Sequence, residues 1–311
     1  MQPYLSVIRP DHWLKNIFIL FGHAAAIVLL ALPIHASTFG WIVFSLVPAC
    51  LMASVNYIIN EILDAPFDRE HPVKKFRAVP AGLVSIPLLW GIAAVFLVVA
   101  FGLSIAFFNL GYTIALGLLL LSGIVYNIPP IRLKDRAFLD VLTESFNNPI
   151  RLWLGWYALA PAHSFPPMSV VIAWWMFGAL LMAGKRFAEF RFINDGARSA
   201  RYRKSFATYT ENSLVISMIT YTNFFCFCAG AAVATYRPNL VFIFPVLAVA
   251  LIVYFNQAMT AESARLEPEQ LMRNPKLIAC TIASVAAAAF LAWYPGNLTA
   301  PLHLFQLIPG E

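Results

Sequence analysis

Apolar runs of membrane-spanning length, parted by short polar loops, recur along almost the whole chain, and that pattern leaves few folds open. A helix on the surface of a soluble domain carries one apolar stripe, whereas these runs are apolar all round, as a helix in lipid must be. Hydrophobic residues make up 60% of the 311 positions, charged residues 12%, and the mean hydropathy is +0.74. A soluble domain averages roughly 45–50% apolar and about 25% charged. A transmembrane β-barrel would show segments of about ten residues alternating in hydrophobicity, and the runs here are continuous. The fold class that follows is all-α, a polytopic membrane protein of about nine transmembrane helices.

The runs predict spans near 17–34, 41–63, 86–108, 111–128, 138–160, 168–190, 213–235, 240–258 and 277–295. Most can cross a hydrocarbon core about 30 Å thick at 1.5 Å per residue. The first run ends in LPIHAS, which resembles a signal-peptide cleavage site, yet about sixteen residues precede it. The run is itself close to spanning length, so a retained first helix is expected.

Charge assigns the sides. With nine spans, the N-terminus and the loops near 60–85, 129–137, 185–212 and 259–276 share one side. Of the 21 Lys and Arg residues, only Arg237 lies clearly on the other, and Arg151 falls inside the fifth span. The positive-inside rule then predicts a cell-membrane or inner-membrane protein with N-terminus and basic loops cytoplasmic and the C-terminus opposite. The net charge of +6 belongs to those loops and to anionic membrane lipid, not to nucleic acid. The acids gather on the same side, all but Glu311 of fifteen. The positive-inside rule does not govern acids, so a polar site at that end of the helices is expected. The four cysteines, Cys50, Cys226, Cys228 and Cys280, all lie in apolar runs without metal-ligand spacing, which predicts core packing.

Four stretches carry the candidate chemistry. In NEILDAPFDREHPVKKFR, Asn60, Asp64 and Asp68 are spaced four apart, and a continuous helix would stack them on one face. Glu61 adds a fourth oxygen ligand. Carboxylates so placed repel unless a cation lies between them, and Mg²⁺ suits such a set, taking carboxylate and phosphate oxygens together; Mn²⁺ is the alternative ion. Pro66 predicts a kink there. Beyond it, His71, Lys74, Lys75 and Arg77 suit the outer oxygens of a diphosphate. In YNIPPIRLKDRAFLDVLTESFNNPIRLW, Lys134, Asp135 and Asp140 stand at a helix junction, and Glu144 and Arg151 continue into apolar sequence. Ionisable groups there face a cavity or a partner. In AGKRFAEFRF, Lys185, Arg186 and Glu189 are expected at the same cavity, and RPDHWLKN sets Arg9 and Lys15 around Trp13. Two acidic motifs flanking a basic set point to a metal-bridged diphosphate leaving group and a lipid substrate.

These residues resemble the UbiA superfamily of intramembrane prenyltransferases. Its first signature, NDxxDxxxD, reads here as Asn60, Glu61, Asp64 and Asp68; its second reads as Tyr126, Lys134 and Asp140. The resemblance implies a single domain over 1–311 around a central cavity. It also implies catalytic Asp64, Asp68, Asp140 and Lys134 and a metal set of Asn60, Glu61, Asp64, Asp68 and Asp140. RPDHWLKN, DREHPVKKFR, LKDRAFLD and GKRFAE are similar to the decaprenyl-phosphate phosphoribosyltransferase branch. That implies phosphoribosyl diphosphate as donor and a polyprenyl phosphate as acceptor. Asn60, Lys74, Lys75, Arg77, Tyr126, Arg151, Lys185, Arg186, Glu189, Arg9 and Lys15 would then bind substrate. YNIPPIRLK is also similar to prenyltransferases that act on aromatic or tetrapyrrole acceptors. Transfer from a polyprenyl diphosphate to such an acceptor is therefore the alternative. A transporter would show inverted repeats with broken midplane helices, and the chain shows none. Oligomeric state is not written in the sequence.

Overall fold

The computed structural model describes residues 2–69, 74–193, 203–260, 274–294, 296, 298 and 299. Among these every regular element is helical, and eight helices are long and apolar enough to cross a membrane. The chain is an integral membrane protein of all-α architecture. It divides into two compact units, one ending at Pro166 and the other beginning at Pro167. All four cysteines are free.

The first unit opens with α1 (Gln2–Ile8), a 3-10 stretch over Pro10–Phe18 and α2 (Ile19–Leu29). Together they make one candidate membrane-crossing segment, Gln2–Leu29, which begins well before the expected Ile17. Arg9 makes the joint, with φ 53° and ψ 61°. Helix α3 (Ala36–Asp68) has 33 residues, about 50 Å at 1.5 Å per residue. That exceeds a core about 30 Å thick, and the surplus falls at the charged end. The helix continues through Pro66, and Arg69 N–H closes the last turn on Ala65 O at 3.1 Å. Pro66 lies close to the end of the helix, which closes three residues later at Arg69.

Helices α4 (Ile86–Phe107) and α5 (Leu110–Asn127) form a hairpin. Asn109 caps α5 by accepting from Tyr112 N–H at 3.1 Å. Its amide donates to Tyr157 O and Ala160 O, both at 2.8 Å, tying the turn to the end of α7. The expected span 138–160 is two helices, α6 (Leu139–Ser145) and α7 (Asn147–Leu159), meeting at Phe146. Pro149 has no N–H to give to the Ser145 carbonyl one turn back, so the α-helical ladder is interrupted there.

Helices α2 and α7 pack closely, and two glycines set their separation. A Cβ on Gly22 would collide with the Leu152 carbonyl, and one on Gly155 with the Ile19 carbonyl. Small residues at such crossings let backbones touch. Gly22→Ala or Gly155→Ala is therefore expected to cost about 1–3 kcal/mol through overpacking. Gly91→Ala and Gly102→Ala, where a Cβ meets open space, should leave the melting temperature in detergent unchanged or higher. Equal melting of all four variants would show that this crossing does not depend on its glycines.

In the second unit α8 (Met168–Ile193) packs along α9 (Glu211–Tyr236), followed by α10 (Phe244–Thr260) and α11 (Pro275–Trp293). Thr210 and Ser213 form a reciprocal cap on α9, and Asn274 caps α11. Tyr254 lies over Gly184 and donates to Leu181 O at 2.9 Å. Of the basic loop after α8, Arg198 and Arg201 lie outside the described residues.

Candidate active site

The charged end of α3 divides into two faces. A straight helix turns roughly 100° per residue, so Asn60 and Asp64 stand about 40° apart. Glu61 lies about 100° from Asn60 but only about 20° from Asp68. Asp68, four residues after Asp64, lies about 40° further round, so it is their partners that divide these side chains. Asn60 and Asp64 face one set of partners, while Glu61 and Asp68 face another.

On the first face, the Lys134 ammonium donates to Asp64 Oδ1 at 2.6 Å, to Asn127 Oδ1 at 3.0 Å and to Asn60 Oδ1 at 3.3 Å. Arg132 donates from Nη2 to the same Asp64 oxygen at 3.0 Å and from Nη1 to Asn127 O at 3.3 Å. Its guanidinium lies 4.8 Å from the centre of the Phe67 ring, and Nε is 3.3 Å from Asp135. Arg132 adopts φ 30° and ψ 62°, a left-handed backbone that a non-glycine residue takes at a cost. The turn at 133–135 then delivers Lys134 to the cradle. Burial pushes the Lys134 ammonium below the ordinary lysine range, and the Asp64 charge opposes that shift. Three side-chain oxygens thus converge on one cation.

On the second face, buried Glu61 accepts from Arg9 Nη2 at 3.4 Å and from Val79 N–H at 3.5 Å. Buried Asp68 accepts from Arg77 Nη1 at 2.8 Å. Arg9, Arg77, Glu61, Phe76 and Leu83 line a cavity of about 360 Å³. The left-handed residue at each approach, Arg9 here and Arg132 opposite, is the one that reaches a carboxylate of α3.

Other expected residues are distributed along the same unit. Tyr126 donates to Glu144 Oε2 at 2.9 Å. Asp140 is fully buried in the first turn of α6, which packs on the turn carrying Lys134. Arg151 is buried in α7 and donates from Nε to Asn16 Oδ1 at 3.1 Å. Lys75 lies over the Phe76 ring, while Lys15 and Lys74 are half-buried. His71 falls outside the described residues. Among the described residues no three His, Cys, Asp or Glu side chains form a metal-binding group.

Such an arrangement, oxygen ligands and several cations at the mouth of an apolar bundle, is suited to holding a diphosphate. A family model described as UbiA prenyltransferase family matches residues 17–274. The chain belongs to the UbiA family. It is 29% identical to the decaprenyl-phosphate phosphoribosyltransferase of Mycolicibacterium smegmatis over 211 residues, 68% of this chain and 63% of that one. With the Corynebacterium glutamicum protein of the same description it shares 28% over 215 residues, 68% and 60% of the two chains. The match thus spans less than two thirds of either relative. A UbiA homologue from Archaeoglobus fulgidus, bound to GPP and Mg²⁺, superposes with a TM-score of 0.69 at 19% identity. That superposition covers 93% of this chain and 98% of the other, and it establishes the shared fold.

In the second unit of this UbiA-family protein, Arg186 and Glu189 on α8 are both buried and pair at 3.1 Å, with Lys185 half-buried beside them. Arg132 and Asn127 are the participants that sequence spacing does not single out. Their signal was modest: an Asn directly after Tyr126 at the end of an apolar run, and an Arg two residues before Lys134.

Proposed function

We propose that this UbiA-family transferase moves the 5-phosphoribosyl group from phosphoribosyl diphosphate to a polyprenyl phosphate and releases diphosphate. An oxygen of the lipid phosphate forms the bond to C1 as the C1–O bond to diphosphate breaks. The bonding pair leaves with the diphosphate. The lipid phosphate is already ionised, so the step needs no strong general base. The alternative, transfer of a prenyl group from a polyprenyl diphosphate to an aromatic or other acceptor, would use the same diphosphate end.

One observation carries the choice of donor. Arginines stand on both faces of the α3 terminus, Arg132 with Lys134 on one and Arg9 with Arg77 at a cavity on the other. A donor with a diphosphate and a separate 5-phosphate needs two such sets, and a prenyl diphosphate needs one. The names of the mycobacterial-type relatives support the same reading. Lys74 and Lys75 add to the cationic complement of this unit, and Lys185 and Arg186, on the second unit, are proposed separately as substrate-binding residues. A divalent cation, Mg²⁺ or Mn²⁺, fits the first face. The oxygens of Asn60, Asp64 and Asn127 already close on one ammonium, and hard oxygen donors are what Mg²⁺ takes. Asn60 and Asp64 would hold it, with Asp68 and Asp140 contributing to the surrounding charge. When bound it would supply Lewis-acid neutralisation of the leaving diphosphate. Lys134 and Arg132 would add fixed positive charge where negative charge develops.

Calorimetry tests the donor. Purified protein with Mg²⁺ is expected to bind phosphoribosyl diphosphate. Binding of geranyl or farnesyl diphosphate without any phosphoribosyl diphosphate binding would replace this reading with the prenyl one. We also propose that the α3 terminus faces the cytoplasm, because the Lys and Arg residues concentrate at that end. In a cysteine-free background, a cysteine at exposed Arg136 should react only from the cytoplasmic side and one at exposed Ser37 only from the other. The reverse pattern would invert the orientation.

A further inference from the structure

Arg151 on α7 is a buried cation. Its Nε donates to Asn16 Oδ1 at 3.1 Å and its Nη1 to the Asn147 carbonyl at 3.4 Å. Among the described residues it has no carboxylate partner, and Nη2 has no hydrogen-bond partner. The residue as a whole keeps 9% of its surface accessible. Asn16 is itself buried and committed, its amide donating to Cys50 Sγ at 3.2 Å. Asn16 thus links Arg151 to Cys50, and the Tyr57 phenol lies near as well. A guanidinium enclosed in this way is costly unless an anion joins it.

Its depth identifies the kind of anion. Cys50 and Tyr57 precede Asn60 on α3 by ten and three residues. At 1.5 Å per residue they lie about 15 and about 5 Å further along the helix, away from its charged end. Arg151, beside both, therefore stands about 10 Å to the apolar side of the proposed diphosphate centre. An anion at that level enters from within the helix bundle and not from the aqueous end. A wholly polar donor does not suit such a place, whereas a phosphate carried on an apolar chain does.

We propose that Arg151, oriented by Asn16, is the binding site for the phosphate of the lipid acceptor, a polyprenyl phosphomonoester. This rests on the reading of the acceptor as a lipid phosphate, and it separates acceptor from donor along α3. The guanidinium stands about 10 Å deeper than the proposed diphosphate centre, a separation that a phosphate and the sugar carbon between them can fill.

Binding without turnover tests it, using the full-length protein in detergent and three probes: farnesyl phosphate, farnesol, and phosphoribosyl diphosphate with Mg²⁺. Arg151→Gln is expected to weaken farnesyl phosphate binding by about 30-fold or more, the usual consequence of truncating one partner of a buried charge pair. Farnesol binding and donor binding should stay within about threefold, on the order of half a power of ten. Asn16→Asp sets a tethered carboxylate against the guanidinium. It should melt no lower than the parent and yet lose farnesyl phosphate binding, which a purely structural arginine would not produce. If Arg151→Gln fails to fold, Asn16→Asp decides alone. Unchanged farnesyl phosphate binding in a folded variant overturns the proposal, as does an equal loss of donor affinity, which would assign Arg151 to a donor phosphate. Parent protein that binds farnesyl phosphate through Arg151 but never binds phosphoribosyl diphosphate would sink the donor assignment and leave this site in place.

Discussion

Asp64→Asn is expected to lower turnover by at least about 10²-fold, the loss typical of removing a principal electrostatic stabiliser. The carboxylate is the shared acceptor of the first face. One oxygen, Oδ1, takes both the Lys134 ammonium and the Arg132 guanidinium. Replacing it with an amide keeps the shape and removes the charge that holds two cations together and that would attract a third. Excess Mg²⁺ should restore at most part of the rate, because higher occupancy does not return the missing carboxylate charge. Initial rates with the donor and acceptor selected by binding, measured across a Mg²⁺ titration, give the result directly. Near-normal turnover, or full parent activity in excess chelator, would return this end of α3 to the status of a solvated helix terminus.

Arg186→Ala is expected to destabilise the second unit by about 3–5 kcal/mol, since it strands the Glu189 carboxylate in a buried position. Activity should fall with it, but a folding defect alone would do that. The double variant Arg186→Met with Glu189→Leu separates the two effects. Replacing both members of a buried pair with apolar residues is often neutral or stabilising, so melting should recover towards the parent. If Arg186 also binds substrate, as we propose, the recovered protein stays inactive or shows a raised KM. Recovery of both melting and kinetics would confine the pair to a structural role.

The family-level outline was legible because its signals are local. Run length and hydropathy place the helices wherever they are read, and the observed α4, α8, α9 and α11 lie within a few residues of the expected spans. The motif Asn60, Asp64 and Asp68 was visible for the same reason, as a spacing on one helix. Local signals fail at the joints. The candidate span from Gln2 to Leu29 incorporates RPDHWLKN, which lies ahead of the first span expected from hydropathy. Pro149 divides what reads as one span into α6 and α7.

By itself the sequence determined an all-helical membrane chain with its polar chemistry at one end, because the requirement to satisfy every backbone group in lipid admits little else. Only the tertiary structure decided how that chemistry is shared out. The rotation of α3 sends Glu61 to Arg9 and Val79 while Asp64 goes to Lys134 and Arg132. The partner of Arg151 is an asparagine 135 residues away. No periodicity along the chain encodes such a pairing, because it is made by two helices crossing, and the crossing is set by which side chains can approach.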